Sequence, residues 1–250
     1  MKQFSVSAAC EIGCVRSNNE DMVLVGNKFI RNENYETTIP LDPISKKRYV
    51  FAIADGMGGH QAGEVASTDV LIDFDFFIYD LPERLSVSDF DEVVIEWLQS
   101  INRKIHLKGV SHPSLSDMGT TLVALVVYEN RFFRLNCGDS RLYQLRNGQL
   151  TQLTTDHSLN TMMGESKHSN IITNCIGGGC TTSFMDIYDI TDNLQSGDIL
   201  LLCSDGLNDM VDDETICSML MSGCRAADLA QAAIEAGGYD NVSACIVKID

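Results

Sequence analysis

The 250-residue chain carries 18 basic and 35 acidic side chains, a net charge of −17, with 44% hydrophobic and 21% charged residues and a mean hydropathy near zero. This is the composition of a packed globular protein, and its acidity excludes nucleic acid as the expected partner because phosphate backbones would be repelled. The longest uncharged apolar run, residues 122–127, falls far short of the ~20 residues of a bilayer span, so no membrane role is expected.

Alternation over residues 4–8 predicts a first strand, and the N-terminus lacks the apolar h-region of a secretory leader, which makes the cytoplasm the expected compartment. Short apolar runs at 22–25 and 49–54 read as further strands. From Glu64 to Leu81, Ala66, Val70, Phe74, Phe77 and Ile78 share one helical face, with Asp69, Asp73 and Asp80 on the other. Ser88 is the expected N-cap of a second helix in which Phe90, Val94, Trp97, Ile101 and Ile105 recur at helical spacing. Runs at 122–127, 132–135 and 141–145 are strands, and Asn147-Gly148 supplies the positive-φ turn of a hairpin. A strand at 199–203, two helices within 214–236 split near Gly223, and a strand at 242–249 complete the chain. No repeat, linker or low-complexity tract interrupts it, so residues 1–250 are expected to form one domain with many antiparallel strands.

The nine cysteines are scattered without a CxxC pair, which argues against a disulfide framework or zinc ribbon and for small buried hydrophobes. The acids are more informative. The 49–54 strand ends in Asp55-Gly56, and the 199–203 strand runs through Ser204 into Asp205-Gly206; Glu20-Asp21 and Asp240-Asn241 each stand just before a strand. Asp-Gly alone is an ordinary hairpin turn, but here each follows a long apolar run and leads into a Gly-rich loop or a helix. If the strand tips meet, the converging carboxylates would raise one another's pKa unless hard cations neutralised them, which predicts magnesium or manganese on oxygen ligands. Such a metal pair suits attack by water on a phosphoryl group, and Arg16, the basic residue nearest the acidic tips in sequence, has the planar fork to clamp the phosphate.

In order, Gly13 to Asp21, Asp55-Gly56-Met57-Gly58-Gly59-His60, Asp117-Met118-Gly119-Thr120-Thr121, Gly138-Asp139-Ser140-Arg141, Asp156-His157-Ser158, Ser204-Asp205-Gly206-Leu207 and Asp240-Asn241 resemble the successive motifs of the metal-dependent protein phosphatases (PPM, type 2C) in their bacterial form. The resemblance implies an α+β fold, a central antiparallel β-sandwich flanked by helices on both sides in four αββα layers. It also implies serine/threonine phosphoprotein hydrolysis and a cognate serine/threonine kinase as functional partner. Carried over, Asp55 would bridge two Mn2+ or Mg2+ ions, with the Gly56 carbonyl, Asp205 and Asp240 completing ligation and Glu20 and Asp21 holding waters. Arg16 would take the phosphate, Asp117 and Asp156 would match a third-metal site, and Asp139 would be structural. Met57 stands where animal members carry a proposed general acid, so the proton donor is unassigned; His60 is the one candidate for it and is also an expected substrate contact. The stretch between His157 and Ile171 is shorter than the flap usual in bacterial members.

Three other readings compete. Cys10 to Ser17 fits the CxxGxxR loop of cysteine-dependent phosphatases, although the chain then leads into a strand and sets Glu20-Asp21 beside the thiol. Leu71 to Asp75 resembles an aspartyl-nucleophile motif but has helical periodicity, with Asp73 on the solvated face. The third is a catalytically inactive scaffold that binds phosphoproteins.

Overall fold

Strands that are apolar on both faces need cover on both, and the chain supplies a second sheet on one side and helices on the other. A computed structural model describes residues 3–40, 48–58, 62–164 and 171–250. In chain order the strands are β1 (Gln3–Glu11), β2 (Met22–Val25), β3 (Lys28–Ile30), β4 (Glu33–Pro40), β5 (Arg48–Ala54), β6 (Gly56–Met57), β7 (Gly119–Thr120), β8 (Leu122–Tyr128), β9 (Arg131–Cys137), β10 (Arg141–Arg146), β11 (Gln149–Gln152), β12 (Ile176–Gly177), β13 (Asp186–Asp189), β14 (Ile199–Cys203) and β15 (Val242–Ile249). The α-helices are α1 (Ala62–Asp80), α2 (Val87–Ser111), α3 (Leu159–Met163), α4 (Asp205–Asn208), α5 (Asp213–Met221) and α6 (Ala226–Glu235).

Two six-stranded sheets, ordered β11-β10-β14-β15-β1-β4 and β13-β9-β8-β5-β2-β3, are antiparallel throughout. Alternation along the strands sorts the residues into layers. Phe51 and Ile53 of β5 meet Phe4, Val6 and Cys10 of β1 and Val247 of β15 between the sheets. Val50, Ala52 and Ala54 face α1 and α2, while Ala244 and Ile246 of β15 face the helices α4 to α6. The result is the four-layer α+β sandwich that the motifs implied. Asn147 (φ 52°) and Gly148 (φ 77°) form the β10–β11 turn, and α5 and α6 part around Gly223.

The structure departs from the sequence expectation where the pattern is weak. β4 was not anticipated: it lies at a sheet edge, where Tyr35, Thr37 and Ile39 are only half-buried and the residues between them exposed. The two-residue strands β6, β7 and β12, which form a third small sheet, are too short and too Gly-rich to show a period. The N-cap of α2 is Ser86, not Ser88, because Asp89 can answer Ser86 in a reciprocal capping box. Asp73 is not simply solvated: its two oxygens accept from Trp97 Nε1 at 2.9 Å and Lys104 Nζ at 2.8 Å, tying α1 to α2.

Candidate metal centre and catalytic site

Strand ends decide where the charge collects. At the end of β5 the Asp55 backbone is fixed on both sides: its N–H donates to Thr121 Oγ1 at 3.1 Å, and its carbonyl accepts from the Thr121 N–H at 2.9 Å and Thr120 Oγ1 at 2.8 Å. The next residue must be glycine, since a Cβ on Gly56 would stand 2.2 Å from the Gly63 carbonyl oxygen and 2.6 Å from that of Glu20.

Asp21, at the head of β2 and 1% exposed, is joined to the end of β14 by Ser204, whose Oγ donates to Asp21 Oδ2 at 2.8 Å and accepts from the Ser243 N–H at 3.0 Å. Ser204 directly precedes Asp205, so one short network aligns the tips of β2, β14 and β15. Asn241 does the same for the loop that carries Arg16 and Glu20. Its Nδ2 donates to the carbonyls of Ile12 and Asn18 at 2.9 and 3.0 Å, and its Oδ1 accepts from the Glu20 N–H at 2.8 Å. Arg16, itself exposed, donates to Asp240 Oδ2 at 2.6 Å. Asp55, Asp21, Asp205, Asp240 and Glu20, with Arg16 at the rim, are thus brought to one end of the sandwich.

The electrostatics are those of an uncompensated cluster. Burial, together with the charges of Asp21, Asp205, Asp139 and Asp240, pushes the Asp55 carboxyl well above the usual carboxylate range. Asp205 is pushed up in the same way by burial and then by Asp139 and Asp240. Burial raises Asp21 and Asp139 from 3.8 to about 6 each. It raises Glu20 too, against the pull of Arg16. Asp21 Oδ1, Asp139 Oδ1 and Asp205 Oδ1 are buried with no hydrogen-bond partner. Among the described residues no three acidic, His or Cys side chains are drawn together as a metal-holding group. Orphaned hard oxygens that repel one another still form a donor set that fits Mg2+ or Mn2+.

The other expected residues fall outside this group. Both Asp156 oxygens are taken: Arg141 donates from Nε at 3.0 and 3.1 Å and from Nη2 at 2.6 Å, and Gln152 Nε2 donates at 2.8 Å. That bidentate pair neutralises Asp156, so the structure does not offer it to a third metal. Asp117 is exposed in the turn before β7 at φ 59°, a left-handed position that an aspartate tolerates. His60 lies outside the described residues. Asp139, read as structural, acts electrostatically on Asp55 and Asp205. No positioning role was expected for Asn241, Ser204, Ser243 or Thr121; for Ser204 and Asn241 the available signal was a small polar residue next to an acid at a strand tip.

Cys10 is inside β1, fully buried, and burial followed by the Asp21 charge pushes its thiol up to about 12. A thiolate is disfavoured there, which removes the support for the cysteine-phosphatase reading.

A helix-flanked double sheet whose strand tips gather hard oxygen donors defines the metal-dependent phosphatase type of sandwich, and the comparisons agree. The family model described as Protein phosphatase 2C matches residues 43–235. The Serine/threonine protein phosphatase PstP of Mycobacterium tuberculosis is 33% identical over 97% of the chain, and the chain spans 44% of that relative's length. The Protein phosphatase PhpP of Streptococcus pneumoniae is 31% identical over 99% of the chain and 98% of its own length. Among solved structures, a serine/threonine phosphatase of S. agalactiae superposes with a TM-score of 0.81 at 27% identity, covering 99% of this chain and 100% of that one. The catalytic domain of a PstP, solved in complex with two manganese ions, superposes with a TM-score of 0.73 at 31% identity, covering 99% and 100%. The chain belongs to the protein phosphatase 2C family.

Proposed function

We infer that the chain hydrolyses phosphoserine and phosphothreonine esters of proteins with Mn2+ or Mg2+. The observation that carries this reading is the set of mutually repelling buried carboxylates at one end of the sandwich, of which Asp21, Asp139 and Asp205 each keep an oxygen without a partner. Asp55, the Gly56 carbonyl, Asp205 and Asp240 would hold two ions, Glu20 and Asp21 would order the surrounding waters, and Asp117 would serve a third, weaker ion. When bound, the ions acidify a water nucleophile and absorb charge on the phosphoryl oxygens.

The chain's own residues do the rest. Ser204 holds Asp21, and Asn241 holds the Arg16–Glu20 loop, so the donors are positioned before any ion arrives. Arg16 exchanges Asp240 for the substrate phosphate, its fork matching two phosphate oxygens. Residues 1–250 act as one catalytic domain, in the cytoplasm, opposing a serine/threonine kinase. Support for the activity comes from the phosphatase names of relatives.

The test is hydrolysis of p-nitrophenyl phosphate and of a phosphothreonine peptide with added Mn2+. Turnover of both, lost in excess EDTA and restored by Mn2+, is expected. Turnover that persists in EDTA overturns the metal mechanism, and phosphopeptide binding without turnover returns the scaffold reading.

A further inference from the structure

Cys175 Sγ and Cys180 Sγ stand 3.2 Å apart as free thiols, bracketing Gly177, Gly178 and Gly179, whose φ values are 77°, 58° and 78°. We propose that these two cysteines form a reversible disulfide, a modification site outside the carboxylate cluster that staples this glycine loop.

The backbone already presents the two sulfurs to each other. The Cys180 N–H donates to the Gly177 carbonyl at 2.9 Å. Asn102 on α2 clamps both arms: its Oδ1 accepts from the Gly177 N–H at 2.7 Å, and its Nδ2 donates to the Cys180 carbonyl at 3.2 Å. Ser183 Oγ donates to the Cys175 carbonyl. Shrinking the gap to a bond of ~2.05 Å needs only a small shift, and three glycines in the left-handed region supply the freedom for it.

The two thiols differ in access. Cys175 is 3% exposed and burial pushes it well above its ordinary range, whereas Cys180 is only partly covered. A two-electron oxidant such as hydrogen peroxide therefore meets Cys180 first, transferring one oxygen to its sulfur to give a sulfenic acid and releasing water. Cys175 Sγ then attacks the Cys180 sulfur. The S–O bond breaks, and the oxygen leaves as a second water with the Cys175 proton. Two thiols and one peroxide give one disulfide and two waters, and dithiothreitol reverses the bond. The staple fixes the outer strand of the small sheet, where β12 pairs with β7 and β7 with β6, the strand that begins at Gly56.

The experiment treats the full chain with hydrogen peroxide, alkylates free thiols with iodoacetamide and maps the peptide spanning residues 175–184 by mass spectrometry. The expected peptide is lighter by two hydrogen atoms and unalkylated, and dithiothreitol before alkylation returns both labels. Cys175→Ser should leave a sulfenic acid at Cys180 that dimedone captures, and Cys224→Ser should leave the crosslink intact. The oxidised wild type should melt several degrees higher than the reduced form. Both thiols remaining alkylatable in the wild type, or Cys180 passing to sulfinic acid without a crosslink, would overturn the proposal whether or not the variants fold.

Discussion

Strand β14 has an aspartate just beyond each end, and the fold treats the two in opposite ways. Before it, Asp198 is 1% exposed, yet it accepts from Arg146 Nε and Nη2 at 2.7 and 2.5 Å, from Gln144 Nε2 at 3.0 Å and from the Gln195 N–H at 2.9 Å. Burial alone would raise that carboxyl, but the hydrogen bonds and charge of Arg146, with the bonds from Gln195 and Gln144, together outweigh it and hold it below the usual range. After the strand, Asp205 has an oxygen with no partner and further carboxylates for neighbours. The chain can therefore neutralise a buried acid when only structure is at stake. At the other end, Arg16 pairs with Asp240 at the rim, but oxygens of the buried Asp21, Asp139 and Asp205 are left without a partner, which supports the proposed cation site.

The largest expected effect that could break this comparison is that of Asp205→Asn on catalysis. Turnover should fall by more than the ~10–100-fold typical of losing an outer partner of a metal site. In the metal-free protein the same change should raise the melting temperature, because it removes one of several repelling charges. Asp198→Asn should do the reverse, lowering the melting temperature by leaving Arg146 short of its partner while turnover per folded molecule stays the same. Calorimetry on both variants in EDTA decides: equal losses of stability would mean that the two ends are alike.

A smaller effect concerns pH. Asp21 and Asp139 move from 3.8 to about 6 on folding, so the folded state binds their protons more tightly than the unfolded state does. Their contribution to stability is complete below 3.8 and is lost as pH rises through about 6. Metal-free protein should accordingly melt at a lower temperature as pH rises across that window, and Mn2+ should reverse the trend because it binds the ionised carboxylates. Asp198, held below its usual range, works oppositely: its contribution is present above the unfolded value and is lost as pH falls through the folded one. A metal-free melting temperature that rises from pH 4 to pH 7 would contradict the assignment of uncompensated charge.

Much of this contrast was legible in the sequence and some of it was not, for physical reasons. Runs apolar on both faces betrayed β5, β8, β14 and β15, and acids at their tips betrayed Asp55, Asp205 and Asp240. Edge strand β4 and the two-residue strands stayed hidden because an edge needs no second apolar face and a pair of residues has no period. Asp156 carried the same letter as the cluster acids. Only the fold shows Arg141 of β10 placed to neutralise it, as only the fold shows Lys104 and Trp97 meeting Asp73. Single-letter acids give the chance of a metal site, and the cations that cancel some of them are fixed by pairing between distant segments.

Asn241 is a milder probe of the same region. Asn241→Ala removes the link between the head of β15 and the Arg16–Glu20 loop without touching a carboxylate. Manganese affinity should weaken roughly 10–100-fold, the usual cost of an outer partner, while turnover at saturating Mn2+ falls less. Titration calorimetry and saturation kinetics separate the two quantities, and unchanged affinity would remove Asn241 from the positioning role.

The smallest effect is expected at Cys10, which lies on the same network but on its structural side. Its sulfur accepts from Asn19 Nδ2 at 3.4 Å and Ser243 Oγ at 3.3 Å, and its S–H points to the Asp21 carbonyl at 3.7 Å. With the thiol pushed up to about 12, almost none of it is ionised near neutral pH, too little for a nucleophile that must react in every turnover. Cys10→Ser keeps a donor and an acceptor in the same place, and turnover should stay within about twofold of the wild type, with any loss showing in melting temperature instead. Vanadate, which mimics a phosphoryl group on an attacking thiolate, should inhibit poorly. A folded Cys10→Ser protein without activity, or a phosphocysteine trapped during turnover, would show that the thiol and not the carboxylate cluster does the chemistry.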